Sequence, residues 1–266
     1  MKSVSILGCG WLGLPFGKYL AERSYLVKGS TRSEAKLGTL KSVGIDPFII
    51  ELSAGGNYIE RFFQSDVLFL NIPPGRKDPE LTKNYVAKIS SILPFLSKNT
   101  KVIFASSTGV YPNSNGLVNE NSDTNPVRKS GEAILKAEQL IRENCDQWII
   151  TRFGGLVGGD RKAGAFLSGK KNLDKGNALV NMVHQLDCIR ILHLLLESAL
   201  NQEIFNVVAD KHPDRKTFYS YRAELEGFEA PTFNDVKGDF KMVDNAKVKQ
   251  LLSYEFLYPD PMDFPV

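Results

Sequence analysis

Cysteine is scarce in this chain: Cys9, Cys145 and Cys188 stand far apart and form no Cys-x-x-Cys pair. An odd number of separated thiols excludes a disulfide framework, and no histidine-rich stretch accompanies them to make a zinc site. The expected compartment is therefore the reducing cytoplasm, with no bound metal. Neither sign of charge prevails, since 33 Lys and Arg against 30 Asp and Glu leave a formal +3. That excess is too small and too dispersed for a nucleic-acid surface. Long apolar runs are missing as well. The opening stretch "MKSVSILGCGWLGLPFGKYLA" resembles a signal peptide only until Gly8, Gly10, Gly13 and Gly17 interrupt it. Nothing elsewhere approaches the roughly 20 apolar residues that cross a bilayer, so no membrane partner is expected.

What is present is a regular alternation. With 266 residues, 42% hydrophobic and 24% charged, the chain suits one large α/β domain, alone or with a small lobe. Seven short apolar runs, 4–7, 25–30, 47–52, 66–72, 101–106, 147–152 and 203–208, read as strands buried on both faces of a parallel sheet. Helical patterns over 12–23, 34–43, 80–97, 130–143 and 187–200 separate most of them, the last with Ile189, Leu192, Leu195, Leu196 and Ala199 on one stripe. Asp187 is placed to cap that helix. The predicted fold is a doubly wound, Rossmann-type α/β sheet of about seven strands with a small C-terminal lobe. Residues 1–152 plus 181–208 make the dinucleotide-binding core. Residues 153–180 plus 209–266 make the lobe, in which 156–179 is a Gly- and Lys-rich loop region and 217–226 and 244–252 are short helices.

Directly after the first strand stands Gly8-x-Gly10-x-x-Gly13, opening a helix. Gly8 permits a tight turn, Gly10 lets the backbone approach a pyrophosphate, and Gly13 allows close helix–strand packing. The amides at the helix start, over Trp11, Leu12 and Gly13, then face the phosphates. At the tip of the second strand, where an acidic residue would serve the ribose of NAD, the chain has Thr31, Arg32 and Ser33. A guanidinium flanked by hydroxyls suits the 2′-phosphate of NADP, while Glu34 keeps NAD open. Asn71 and Pro73, at the tip of the fourth strand, are either part of the cofactor wall or a rigid turn.

In order and spacing, the glycine turn, "SSTGVY" (106–111), "RFGGLVGGDR" (152–161), "NMVHQLDCIRIL" (181–192) and "FNVVADKHPDRKTFY" (205–219) resemble the extended short-chain dehydrogenase/reductases of the NAD-dependent epimerase/dehydratase type. The resemblance covers most of the chain. It implies a nicotinamide cofactor across the strand ends and a small carbonyl compound or nucleotide-linked sugar as substrate; a homodimer is the assembly it allows. It further implies that Ser107 bonds the reacting oxygen and that Phe153, Gly154 and Gly155 pass beneath the nicotinamide ring.

One family feature is missing. The helix should carry a Tyr that moves the proton and, four residues on, a Lys that binds the ribose and lowers the Tyr pKa. Aligned on "AEQ" ending at Gln139, the chain has Ser130 and Ile134 there. A serine has no comparable acidity, and losing a positioned proton-transfer group costs about 10²–10⁴ in rate. Substitutes are few. Tyr111 reads as a packing residue, and Lys136 points about 200° away from the Ile134 face. Arg128 and Lys129 are solvated or bent inward, and His184 is either structural or a displaced acid. Arg161, Lys162, Lys170 and Lys171 could hold substrate phosphates. Two functions follow: an NADP-dependent oxidoreductase or epimerase-like enzyme with altered proton transfer, or a non-catalytic dinucleotide-binding sensor or interaction protein.

Overall fold

The computed structural model describes residues 1–53, 58–75 and 78–266. All seven apolar runs are strands of one parallel sheet: β1 (Ser3–Leu7), β2 (Leu26–Thr31), β3 (Asp46–Ile49), β4 (Val67–Leu70), β5 (Lys101–Ser107), β7 (Trp148–Phe153) and β10 (Glu203–Val207). Their order is β10-β7-β5-β4-β1-β2-β3. β4 and β7 are buried along their whole length; β4 reads as an unbroken apolar run, while β7 also buries Thr151 and Arg152, each hydrogen-bonded. The remaining strands are two- and three-residue pieces outside this sheet. β6 (Leu117–Val118) pairs with β11 (Met242–Val243), and β8 (Gly155–Val157) pairs with β9 (Met182–His184).

The helices are α1 (Gly13–Ala21), α2 (Leu37–Ser42), α3 (Glu60–Phe63), α4 (Leu81–Ser90), α5 (Lys129–Asn144), α6 (Gln185–Glu197), α7 (Arg215–Leu225) and α8 (Ala246–Leu252). The pattern predicted over 80–97 is cut short after Ser90, and Leu93–Phe95 forms a separate 3₁₀ turn around Pro94. Proline lacks the N–H that would bond the Ser90 carbonyl in a continuing helix. α6 begins at Gln185, so Asp187 lies inside its first turn and not at its cap. The carboxylate instead accepts from the Tyr254 hydroxyl at 2.6 Å and the Leu257 amide at 2.7 Å, tying down the C-terminal segment. Among the described residues, no helix is long and apolar enough to cross a membrane.

By compactness the chain forms two units. One comprises Met1–Val110, Pro126–Thr151 and Leu192–Ile204, and the other Tyr111–Asn125, Arg152–Ile191 and Phe205–Val266. The first has a core of Phe48, Phe62, Phe63, Phe104 and their neighbours. Each fully buried phenylalanine contributes roughly 2–3 kcal/mol by apolar burial. Within this unit the chain runs outward from β1 through β2 to β3, then crosses back to β4 on the other side of β1. That reversal brings the carboxyl ends of β1, β2 and β4 together, where open α/β sheets bind ligands. The second unit packs Val157, Val180, Met182, Phe218 and Phe264. There the buried Arg222 donates to Glu226 at 2.5 Å and to the Phe264 carbonyl at 2.6 Å, so α7 holds the end of the chain.

Candidate functional site

The glycine turn between β1 and α1 is held by its neighbours on both sides. Gly8 has φ +110°, and a Cβ built there would lie 2.4 Å from the Asn71 carbonyl oxygen, so only glycine fits. Its amide donates to Ser30 Oγ at 2.8 Å, and its carbonyl accepts from Asn71 Nδ2 at 3.0 Å. A Cβ on Gly13 would meet the Gly8 carbonyl oxygen at 2.2 Å, the close packing expected of the third glycine. Gly10 differs: nothing stands within 4 Å of an added Cβ. The open side of the turn is therefore at Gly10. Trp11 is half-buried, whereas Leu12 is buried, leaving Leu12 only its backbone to offer a ligand. No side chain caps α1 and its first turn has no acidic residue, so its positive end is not neutralised locally.

Beside the turn lies a cleft of about 400 Å³. Gly8, Gly10, Thr31, Arg32, Asn71 and Pro73 all line it, so residues from three separate strand tips meet at one cleft. Ser33 lies outside that lining, its amide donating to Thr31 Oγ1 at 3.1 Å, and Glu34 lies outside it as well. Three charged lining residues escaped the sequence reading: Lys36, Glu51 and Lys88. Lys88 could have been found from α4 itself. It sits next to the buried stripe of Leu81, Tyr85 and Ile89, on a helix fixed to the β4 tip by the Tyr85 hydroxyl donating to the Ile72 carbonyl at 2.8 Å. Cys9 also lines the cleft, but burial pushes its thiol up to about 12 and leaves it inert.

Ser107 is half-buried at the end of β5, where its Oγ accepts from the Gly109 amide at 3.0 Å. The start of α5 packs directly on this turn, because a Cβ on Gly131 would lie 2.5 Å from the Gly109 carbonyl oxygen. Ser130, the preceding residue, is half-buried. Further along, Ser106 Oγ donates to the buried Glu138 carboxylate and pins α5 to β5. Ile134 packs against the main core cluster, while Lys136 turns to solvent and pairs with Glu132 at 3.1 Å. Neither Ser107 nor Ser130 lines the cleft at the glycine turn.

In the second unit the Tyr111 side chain is fully buried. Its hydroxyl donates to Asn206 Oδ1 and accepts from Arg152 Nη1, both at 2.8 Å. Burial raises its pKa, only partly opposed by Arg152, and both hydrogen bonds of its hydroxyl stay within this unit, as expected of a packing residue. Phe153 is buried. Gly154 is required by packing, its Cβ meeting the Asn181 carbonyl oxygen at 2.4 Å, whereas a Cβ on Gly155 would be crowded only by the movable Met182 side chain, Sδ at 2.3 Å. His184 is stacked edge-on against Tyr258, 4.3 Å between centroids, and its Nδ1 accepts from the Leu186 amide at 3.3 Å. Burial holds its pKa below the ordinary histidine value, so it is neutral near pH 7. In the basic loop Lys171 pairs with Glu229 at 2.6 Å.

No family model matches the chain. It is 32% identical to the Escherichia coli K12 protein YeeZ over 275 aligned residues, covering 100% of both chains. Among solved structures it is similar to a UDP-glucuronic acid 4-epimerase from Bacillus cereus in complex with UDP-glucuronic acid and NAD. That match has a TM-score of 0.78, 19% identity, and coverage of 98% of this chain and 96% of the other. A dTDP-glucose 4,6-dehydratase from Bacillus anthracis, in complex with NAD, matches with a TM-score of 0.80 at 14% identity, covering 98% and 94%.

Proposed function

Because the chain belongs to the family of the Escherichia coli protein YeeZ and has the fold of the extended short-chain dehydrogenase/reductases, we propose that it binds a nicotinamide dinucleotide, NADP(H) before NAD(H), in the cleft at the glycine turn. The observation that carries this reading is that turn with Arg32 beside it. Gly8 and Gly13 are sterically obliged to be glycine, Gly10 faces open space, and Arg32 lines the same cleft. An NADP molecule fits these residues: the amides at the start of α1 would receive the pyrophosphate, and Thr31 and Arg32 the ribose 2′-phosphate. When bound, the nicotinamide would supply hydride transfer.

The reaction proposed is oxidoreduction or epimerisation of a small carbonyl compound or nucleotide-linked sugar, the latter supported by what the Bacillus cereus enzyme binds. Ser107 would hydrogen-bond the reacting oxygen. No phenol stands at position 130 to move its proton, so water would carry it and turnover would be slow. A second reading is favoured by Ile134, which is half-buried against the core where a ribose-binding Lys would stand. On that reading the protein binds the dinucleotide without turning anything over and acts as a sensor or a partner of another protein.

Calorimetry with NADP and NAD, followed by NADPH oxidation across a panel of carbonyl compounds and nucleotide sugars, separates the readings. Tighter NADP binding with slow, substrate-dependent oxidation supports the enzyme. NADP binding with no oxidation supports the silent binder, and failure to bind either dinucleotide overturns both.

A further inference from the structure

Arg32 is not the only cation in the cleft. Lys36 stands on the 3₁₀ turn Glu34–Lys36 that follows the β2 tip, and Lys88 reaches the cleft from α4, which is anchored to the tip of β4. Glu51, after β3, is the sole carboxylate among the described lining residues, so three cations less one anion leave the described wall at +2. Among the described residues, none of the three cations has an ion-pair partner. Several other lysines of this unit are engaged, Lys2 with Glu197, Lys83 with Glu80, Lys136 with Glu132, and Lys28 and Lys101 with backbone carbonyls. Lys41, Lys98 and Lys129 are, among the described residues, free like the cleft cations but lie outside its lining. Arg32, Lys36 and Lys88 put fixed positive charge on the β2, β3 and α4 side of the cleft, apart from the α1 amides that would receive a pyrophosphate.

We propose that Lys36 and Lys88 are further specificity-determining residues of this cleft, sharing with Arg32 the recognition of a phosphate monoester on the adenosine ribose. The proposal rests on the dinucleotide reading above. A phosphate monoester carries about −1.5 to −2 at neutral pH, which matches the charge of the wall. The division of labour follows from chemistry. Arg32 offers a planar fork that can bond two oxygens at once, whereas each lysine is a mobile point charge that adds attraction without fixing geometry. NAD, lacking the extra phosphate, gains little from either lysine. It follows that removing Arg32 alone reduces the preference for NADP without erasing it.

The test is calorimetric, on the full chain, with NADP, NAD, 2′,5′-ADP and 5′-ADP as probes. Native protein is compared with Arg32→Ala, Lys36→Ala, Lys88→Ala and the triple variant, each first shown to fold by circular dichroism. Each lysine variant is expected to weaken NADP and 2′,5′-ADP by about two- to fivefold, the range of a solvent-exposed ion pair, while NAD and 5′-ADP stay within about twofold. Only the triple variant should bind NADP and NAD alike. Lysine variants that leave the NADP to NAD ratio unchanged overturn the proposal, as does native protein that prefers NAD. Should native protein bind none of the four probes, the dinucleotide reading itself falls, a failure distinct from the loss of lysine discrimination.

Discussion

The side-chain amide of Asn71 donates to the carbonyl oxygen of Gly8 at 3.0 Å, so the tip of β4 holds the glycine turn that follows β1. Asn71 also lines the cleft, but its amide is already committed to the turn. Replacing Asn71 by Ala removes one hydrogen bond, about 1 kcal/mol, and lets the turn relax away from its ligand-ready shape. Dinucleotide affinity should fall about fivefold, with the melting temperature lowered by only about 2–4 °C, as read by calorimetry and thermal unfolding. An Asn71→Ala protein that binds as the native one does would show that the brace has no bearing on the ligand.

The three glycines of the turn should respond differently to substitution. Gly10→Val places its side chain where nothing stands within 4 Å, so the fold should persist while dinucleotide binding is lost. Gly13→Ala instead drives a Cβ to 2.2 Å from the Gly8 carbonyl oxygen and should destabilise the protein even without ligand. Melting temperature and calorimetry, measured on both variants, separate the two effects. Tight binding by Gly10→Val with an unchanged circular dichroism spectrum would reduce the motif to a structural turn.

His184 gives the second unit a pH dependence whose sign is fixed. Burial lowers its pKa in the folded protein below the ordinary value of 6.5, so the unfolded chain binds the proton more readily. Stability from this group is complete above 6.5 and is lost as pH falls through the interval between 6.5 and the lowered folded value. His212 is shifted the same way, also mainly by burial. In urea unfolding at a series of pH values, His184→Asn should flatten part of the acid-side slope and leave the His212 share. An identical slope in both proteins would mean that His184 does not titrate on unfolding.

The sheet was legible in the sequence because its strands are short, largely apolar runs, and β4, apolar throughout and buried on both faces, cannot be mistaken for an amphipathic element. The end of α4 was legible only in part, since Pro94 breaks a pattern whose apolar spacing continues past it. The pairings β6–β11 and β8–β9 were not visible, because strands of two or three residues carry no period to detect. Asp187 was misplaced for a related reason. An acidic residue near a helix start suits both a cap and a long-range tether, and only the tertiary partners Tyr254 and Leu257 decide between them. Lys36, Glu51 and Lys88 reach the cleft from three different elements. Taken singly, each resembles an ordinary solvated charge, and only the folded chain brings them to one wall.

The pair missing from α5 yields the most demanding test. Gly131 lies against Gly109 and Ser106 is bonded to Glu138, so the start of the helix is already seated on the turn that carries Ser107. A tyrosine at position 130 would therefore start from a fixed backbone. Position 134 is less welcoming, since Ile134 contributes to the core, and a lysine there must bury its stem while its ammonium finds a ligand oxygen. Ile134→Lys alone should cost about 1–3 kcal/mol of stability, and Ser130→Tyr alone should raise the rate little, its phenol having no neighbouring charge to lower its pKa. If Ser107 orients a substrate oxygen, the double variant should accelerate NADPH oxidation by at least tenfold over native, and by far more than the two single effects combined. The measurement is NADPH oxidation across the carbonyl and nucleotide-sugar panel with native, single and double variants, NADP binding being checked in each. Native turnover already near ~10 s⁻¹, unchanged in Ser107→Ala, would remove Ser107 from the reaction. If every variant binds NADP and none oxidises NADPH, catalysis is not what this fold is used for, and dinucleotide binding by itself becomes the function to explain.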